Sequence, residues 1–190
     1  MLGDAQIIVL IVLVQRVLEG LYAMHNTKRL LNRGAREAGR EYFPVVMVTH
    51  LAWLAAIFFF VAPETEPAWA LLGLFAVLQG ARYWVISLLR GYWTLRIIVP
   101  PGGRLVRAGP YRWLAHPYYT LAMLETFLLP LVFGAWEVSV VMTAITGAVL
   151  WYQIVLEEET LEARRRARTE DQTEEAPSER MPERPSGNPA

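Results

Sequence analysis

Few side chains in this sequence can do chemistry, and they gather in three places. His116 stands directly before Pro117, which opens an apolar stretch beginning Tyr118-Tyr119. A helix starting at that proline leaves its first N–H groups unpaired, a terminus that favours an anion. His116 serves there either as a polar cap or as a ligand contact. The second is the charged stretch from Glu157 to Arg168, which reads as a helix leaving the apolar part of the chain. The third is a set of ionisable residues inside apolar stretches, Arg16, Glu19, His50, Arg82 and Glu125. Such residues are expensive in lipid and are functional suspects by default. The chain has no cysteine, and its three histidines (His25, His50, His116) fall at no H-x-x-x-H spacing. Thiolate nucleophiles, Cys-ligated metals and zinc chemistry are therefore set aside.

These residues need elements to hold them, and composition names the kind. Of 190 residues 54% are apolar and 19% charged, with a net charge of zero. The balance is uneven along the chain: residues 1–156 carry 12 basic and 8 acidic side chains, and the remainder 6 and 10. A nucleic-acid binder with a basic face is excluded, as is a wholly disordered chain. Crossing a bilayer core of about 30 Å takes roughly 20 apolar helical residues. Five stretches qualify: 5–24, 43–62, 68–89, 118–133 (short, and interrupted by Pro130) and 136–156. The prediction is an all-α integral membrane protein with about five transmembrane helices. Asp4 and the absence of Lys or Arg ahead of the first stretch argue for an uncleaved helix, not a signal peptide.

Arginine counting orients the bundle. Lys28, Arg29, Arg33, Arg36 and Arg40 fill one connection, Arg90, Arg96, Arg104, Arg107 and Arg112 another, and Arg164, Arg165, Arg166 and Arg168 follow the last span. With five spans all three fall on one side, so the expectation is a multi-pass protein of the inner or plasma membrane, N-terminus outside and C-terminus cytoplasmic. Residues 1–168 form the membrane-embedded domain, and 169–190, polar and proline-bearing, are expected as a disordered tail.

Within the bundle, Arg16 and Glu19 are three apart and share a helix face, so pairing with each other accounts for both. His50 is expected to bond a neighbouring helix. Arg82 lies late in its span, where it either snorkels to the interface or serves a site. Glu125 has no local partner, and Arg82 is the residue it would meet, as a structural pair or as the floor of a pocket. Between spans three and four, Trp93 to Val99 alternates and reads as an extended segment or an interfacial strand at headgroup level. Turns are expected at Pro100-Pro101-Gly102-Gly103 and Gly109-Pro110.

The pattern G-P-Y-R-x-x-x-H-P-x-Y (Gly109, Pro110, Tyr111, Arg112, His116, Pro117, Tyr119), then a hydrophobic hairpin and E-E-x-x-L (Glu157, Glu158, Leu161), resembles the isoprenylcysteine carboxyl methyltransferase family. The upstream residues His25-Asn26, Arg29-Leu30-Leu31, Arg33-Gly34-Ala35, Glu37, Gly39, Tyr42 and His50, together with Glu125, resemble a bacterial branch associated with type III polyketide synthases and alkylpyrone O-methylation. The chain differs from the usual family pattern at Ala115, Tyr118 and Gln153.

The resemblance implies methyl transfer from S-adenosylmethionine to a carboxylate or enol oxygen of a lipophilic acceptor, with membrane lipids as surroundings and a functional link to a polyketide synthase. It implies that Tyr111, Arg112, His116, Tyr119, Glu157 and Glu158 bind the cofactor. Arg82 then acts on the acceptor anion, with Trp93 and Glu125 beside it. An acceptor already anionic at neutral pH requires no strong base, so proximity and alignment carry the reaction. Two other readings stand beside this one: a non-catalytic membrane protein retaining the fold, and an NADPH-dependent sterol-type reductase, whose H-P-x-Y region is similar.

Overall fold

The computed structural model describes residues 2–99 and 108–175. Five α-helices dominate: α1 (Asp4–Leu31), α2 (Phe43–Phe60), α3 (Trp69–Leu89), α4 (Pro117–Val132) and α5 (Trp136–Glu175). Four of them, α1, α2, α3 and α5, are long and apolar enough to cross a membrane. The expected span at 118–133 is α4, whose 16 residues reach about 24 Å, and it packs between α3 and α5. Large apolar side chains such as Ile11, Val48, Phe60, Val77 and Trp151 are exposed around the bundle, the reverse of a soluble core and the condition lipid requires.

The interior at one end is apolar. Val9 and Val12 of α1, Trp53, Leu54 and Ile57 of α2, Phe75 of α3, Leu128 and Leu129 of α4 and Met142 of α5 form one cluster. Pro130 cannot donate the helical hydrogen bond its position requires. Next to this break the Ser139 hydroxyl of α5 donates to the Phe127 carbonyl at 2.6 Å, tying the two helices together. Gly134 (φ 69) then turns the chain directly into α5.

The opposite end carries a small two-stranded ribbon. Strands β1 (Arg36–Ala38) and β2 (Ile97–Val99) pair antiparallel, Glu37 opposite Ile98. The extended reading of Trp93 to Val99 holds for its last three residues. Its partner Arg-Glu-Ala has no strand composition; it is bracketed by Gly34 (φ 85) and Gly39 (φ 60). A salt bridge of 3.0 Å from Arg96 to Glu37 closes the ribbon. A Cβ on Gly39 would lie 2.3 Å from Leu156, so the ribbon sits tightly on α5.

Two boundaries differ from expectation. Helix α1 runs past residue 24 to Leu31, and α5 continues through the expected start of the tail to Glu175. Both extensions are rich in polar residues, so hydropathy alone truncates them. The turn at Pro100 to Gly103, with Arg104 and Arg107, lies outside the described residues, as do tail residues 176–190.

Candidate functional site

The β1–β2 end of the bundle holds two polar networks joined through the first turn of α4. His116 precedes Pro117, and the first intrahelical bond of α4 is Thr120 N–H to the His116 carbonyl. The N–H groups of Tyr118 and Tyr119 are thus left without intrahelical acceptors. The rings of His116 and Tyr119 stack at 5.2 Å and 10°. The Tyr119 hydroxyl donates to Glu157 Oε2 at 3.3 Å, and His116 Nδ1 lies 3.8 Å from the same oxygen. Tyr111, in a short turn over Gly109–Arg112, completes the group. Burial, reinforced by the nearby Tyr118 phenol and Glu157 carboxylate, pushes its hydroxyl up to about 12. Gly109 (φ 55) seats this turn, since a Cβ there would lie 2.7 Å from Leu88 and 3.1 Å from Trp84 of α3.

The cluster does not take in every residue expected there. Glu158 is exposed while its neighbour faces the cluster, as consecutive helical positions about 100° apart dictate. Arg112 is also exposed, and its guanidinium lies over the Trp113 ring at 5.8 Å. Tyr111, His116, Tyr119 and Glu157 come together; Arg112 and Glu158 stand outside.

The second network lies inside the bundle. Arg82 is 1% exposed. Its Nε donates to both oxygens of Glu19 (3.1 and 3.0 Å), its Nη1 to Glu125 Oε2 at 2.9 Å, and its Nη2 to the Tyr118 hydroxyl. Arg16 closes the circuit from α1, reaching Glu19 Oε2 at 2.9 Å and Glu125 Oε2 through its other terminal nitrogen. Two guanidiniums and two carboxylates alternate around a ring drawn from α1, α3 and α4. Snorkelling by Arg82 is ruled out by its burial. The Arg16–Glu19 and Arg82–Glu125 pairings are both present as anticipated, fused into one ring. His50 departs from expectation: its Nδ1 bonds the Val46 carbonyl within its own helix at 3.0 Å.

Trp93 roofs this ring. It is 2% exposed, stacks on Tyr22 at 5.9 Å and meets the edge of Tyr118 at 5.8 Å. Its position is set from α1. Asn26 Nδ2 donates to the Trp93 carbonyl at 3.0 Å, and Arg29 donates to the Gly91 carbonyl at 2.9 Å. Glu19 was singled out in the sequence only as a partner for Arg16, and Asn26 was not read as a site residue.

Fold and site together define a helical membrane protein whose polar groups converge at one end of an otherwise apolar bundle. Residues 71–163 match the isoprenylcysteine carboxyl methyltransferase (ICMT) family, spanning α3, α4, the His116 cluster and Glu157. The uncharacterized protein YpbQ of Bacillus subtilis (strain 168) is 32% identical over 160 residues, which cover 82% of this chain and 95% of that protein. The chain belongs to the ICMT family, a family of membrane methyltransferases that in general use S-adenosylmethionine. No solved structure matches it.

Proposed function

We propose that the protein transfers a methyl group from S-adenosylmethionine to a carboxylate or enol oxygen of a lipophilic acceptor, prenylcysteine-like or alkylpyrone-like, at the cytoplasmic face of the membrane. The observation that carries this is the pairing of two unlike halves at the start of α4. On one half, Glu157 offers a carboxylate to an ammonium or to ribose hydroxyls, and the unpaired N–H groups of Tyr118 and Tyr119 suit a carboxylate. Those are the two charged ends of the cofactor's methionine moiety, so the residues fit it. His116 and Tyr119 form a flat wall beside it. The bound cofactor supplies an activated methyl group; what the chain contributes is alignment and a dry site.

The other half receives the acceptor. Trp93 offers an apolar ring, and Arg82 a guanidinium whose Nη2 edge now serves Tyr118. An apolar chain enters laterally between helices, which explains a membrane location for the chemistry. The arginine-rich connections at this end of the bundle favour a cytoplasmic face for the site.

The test is calorimetric titration of the purified protein with S-adenosylmethionine. His116→Ala and Glu157→Gln should each weaken binding about ten- to hundredfold, as loss of one charged or polar contact predicts, with melting temperature retained. Binding of NADPH instead, or unchanged affinity in both variants, overturns the reading.

A further inference from the structure

The two oxygens of Glu125 have different surroundings. Oε2 accepts from both Arg16 and Arg82. Oε1 is fully buried and has no hydrogen-bond partner among the described residues. Arg16 Nε is likewise a buried donor without an acceptor among the described residues, on the same guanidinium whose Nη2 holds Oε2. A buried polar atom left unmatched is costly, and here one acceptor and one donor of the same ion pair are unmatched. That couple is the complement of a hydroxyl group with a second oxygen next to it. Arg16, with 12% of its side chain exposed, is more open than Arg82 or Glu125, each at 2%. The ring is thus most open on the α1 side.

We infer that Glu125 is a catalytic residue, and that its Oε1 takes the proton from the hydroxyl of an acceptor arriving in its neutral form. This rests on the methyltransferase reading above and adds a base to it. Three physical arguments converge. First, a lipophilic acid crosses apolar surroundings as the neutral species, because the ion is penalised there. An acceptor that enters between helices thus brings its proton along. Second, the charges of the ring cancel with both carboxylates ionised, so it holds no spare positive charge for an incoming anion. A neutral hydroxyl meets no such barrier. Third, Oε1 can take a proton without displacing the hydrogen bonds from either guanidinium, since both sit on Oε2.

The step balances. The acceptor O–H bond breaks with its electron pair left on oxygen, and the proton goes to Glu125 Oε1. That oxygen bonds the methyl carbon of a sulfonium donor, and the carbon–sulfur pair returns to sulfur. The positive charge lost by the sulfonium reappears on the ring, so the buried site carries the same net charge before and after. Tyr118 adjoins the ring through Arg82, next in sequence to the residue that contacts Glu157, which links the proton site to the cofactor side by one turn of helix.

The experiment uses a coloured acid, an ortho-nitrophenol with a nonyl chain para to its hydroxyl, and the full-length protein in detergent without cofactor. The pH is set where the free probe in the same detergent is neutral. Wild-type protein should turn the bound probe into the yellow nitrophenolate with no proton released to a weakly buffered solution. Glu125→Gln should bind it uncoloured, and with cofactor and a hydroxyl acceptor should turn over at least about a hundredfold more slowly at unchanged cofactor affinity, as loss of a positioned base predicts. A probe that fails to bind, stays neutral on wild type, or ionises with release of one proton to solvent overturns the inference. So does colour that persists in Glu125→Gln. The wild-type proton count decides the matter if Glu125→Gln does not fold. Cofactor titration of the same samples separates the two readings: cofactor binding without probe ionisation sinks the base alone, and ionisation without cofactor binding sinks the methyltransferase reading alone.

Discussion

Tyr118 and Tyr119 are adjacent in sequence, yet their hydroxyls belong to two different charged networks. Tyr118 accepts a hydrogen bond from Arg82 inside the bundle, and Tyr119 donates one to Glu157 at the bundle's end. The separation follows from helix geometry, since consecutive side chains point about 100° apart. One turn of α4 thereby holds an intramembrane ion-pair ring and an exposed-end carboxylate in fixed relation. In-line transfer between two bound molecules depends on such registration.

Removing the two hydroxyls separately should split their effects. Tyr119→Phe loses a neutral-to-charged hydrogen bond and should raise the dissociation constant for S-adenosylmethionine several-fold to about tenfold, for a cost of about 1–1.5 kcal/mol. Tyr118→Phe leaves that contact intact, so its cofactor affinity should stay within about twofold of wild type. Calorimetric titration distinguishes the two; equal losses would show that the networks act as one unit.

The ring predicts its own stability pattern. Arg82→Met leaves Glu19 and Glu125 sharing one guanidinium and should destabilise by about 3–5 kcal/mol. Arg82→Lys should also be destabilised, because a single ammonium cannot bridge Glu19, Glu125 and Tyr118 at once. Arg82→Met combined with Glu125→Leu keeps the Arg16–Glu19 pair and should recover most of the loss while remaining inactive. Thermal melts in detergent read all three. A Lys variant that melts with wild type would show that the ring does not hold the bundle together.

How much of this was legible depended on whether a single local rule applied. Long apolar stretches located all five helices, and the cost of unpaired charge in lipid pointed Arg82 at Glu125. The same rule assigned Glu19 to Arg16 and stopped there, because an i,i+3 pair already satisfied it; that Glu19 also serves Arg82 depends on how α1 lies against α3. Strand β1 was invisible because Arg36-Glu37-Ala38 acquires its conformation from its partner, with only the flanking Gly34 and Gly39 as a trace. Adjacent glutamates cannot both face one cluster, yet nothing in the pair says which one does. Asn26 was silent for a related reason: its partners are backbone carbonyls, which carry no sequence signature.

Tyr111 makes the protein alkali-sensitive in a defined window. Its hydroxyl is pushed from the ordinary value of 10.0 up to about 12, chiefly by burial. The neutral form is therefore favoured in the folded state, and its contribution is intact below pH 10 and lost as pH rises toward about 12. Tyr111→Phe should flatten that part of a plot of melting temperature against pH and leave the profile at neutral pH unchanged. An identical alkaline slope in both proteins would assign it to other tyrosines.

Arg90 is the one described non-glycine residue with positive φ (48°, ψ −128°). It ends α3 and starts the turn that delivers Trp93 to its place over the ring. Strain of this kind costs about 1–3 kcal/mol and persists only where the surroundings enforce it. Here Asn26 and Arg29 of α1 hold the following carbonyls. Arg90→Gly would relieve the strain, against a chain-entropy cost of about 0.5–1 kcal/mol for the added glycine. The balance favours relief, so the variant should be more stable by up to about 2 kcal/mol. Asn26→Ala should act in the opposite direction, by about 1–3 kcal/mol, because it leaves the buried Trp93 carbonyl unpaired. In the double variant the Asn26→Ala penalty should shrink, since a glycine turn no longer needs to be held. Melting temperatures of the four proteins form the cycle. Strict additivity would mean that Asn26 does not restrain the Arg90 turn, and a destabilised Arg90→Gly would mean that this backbone is not strained at all.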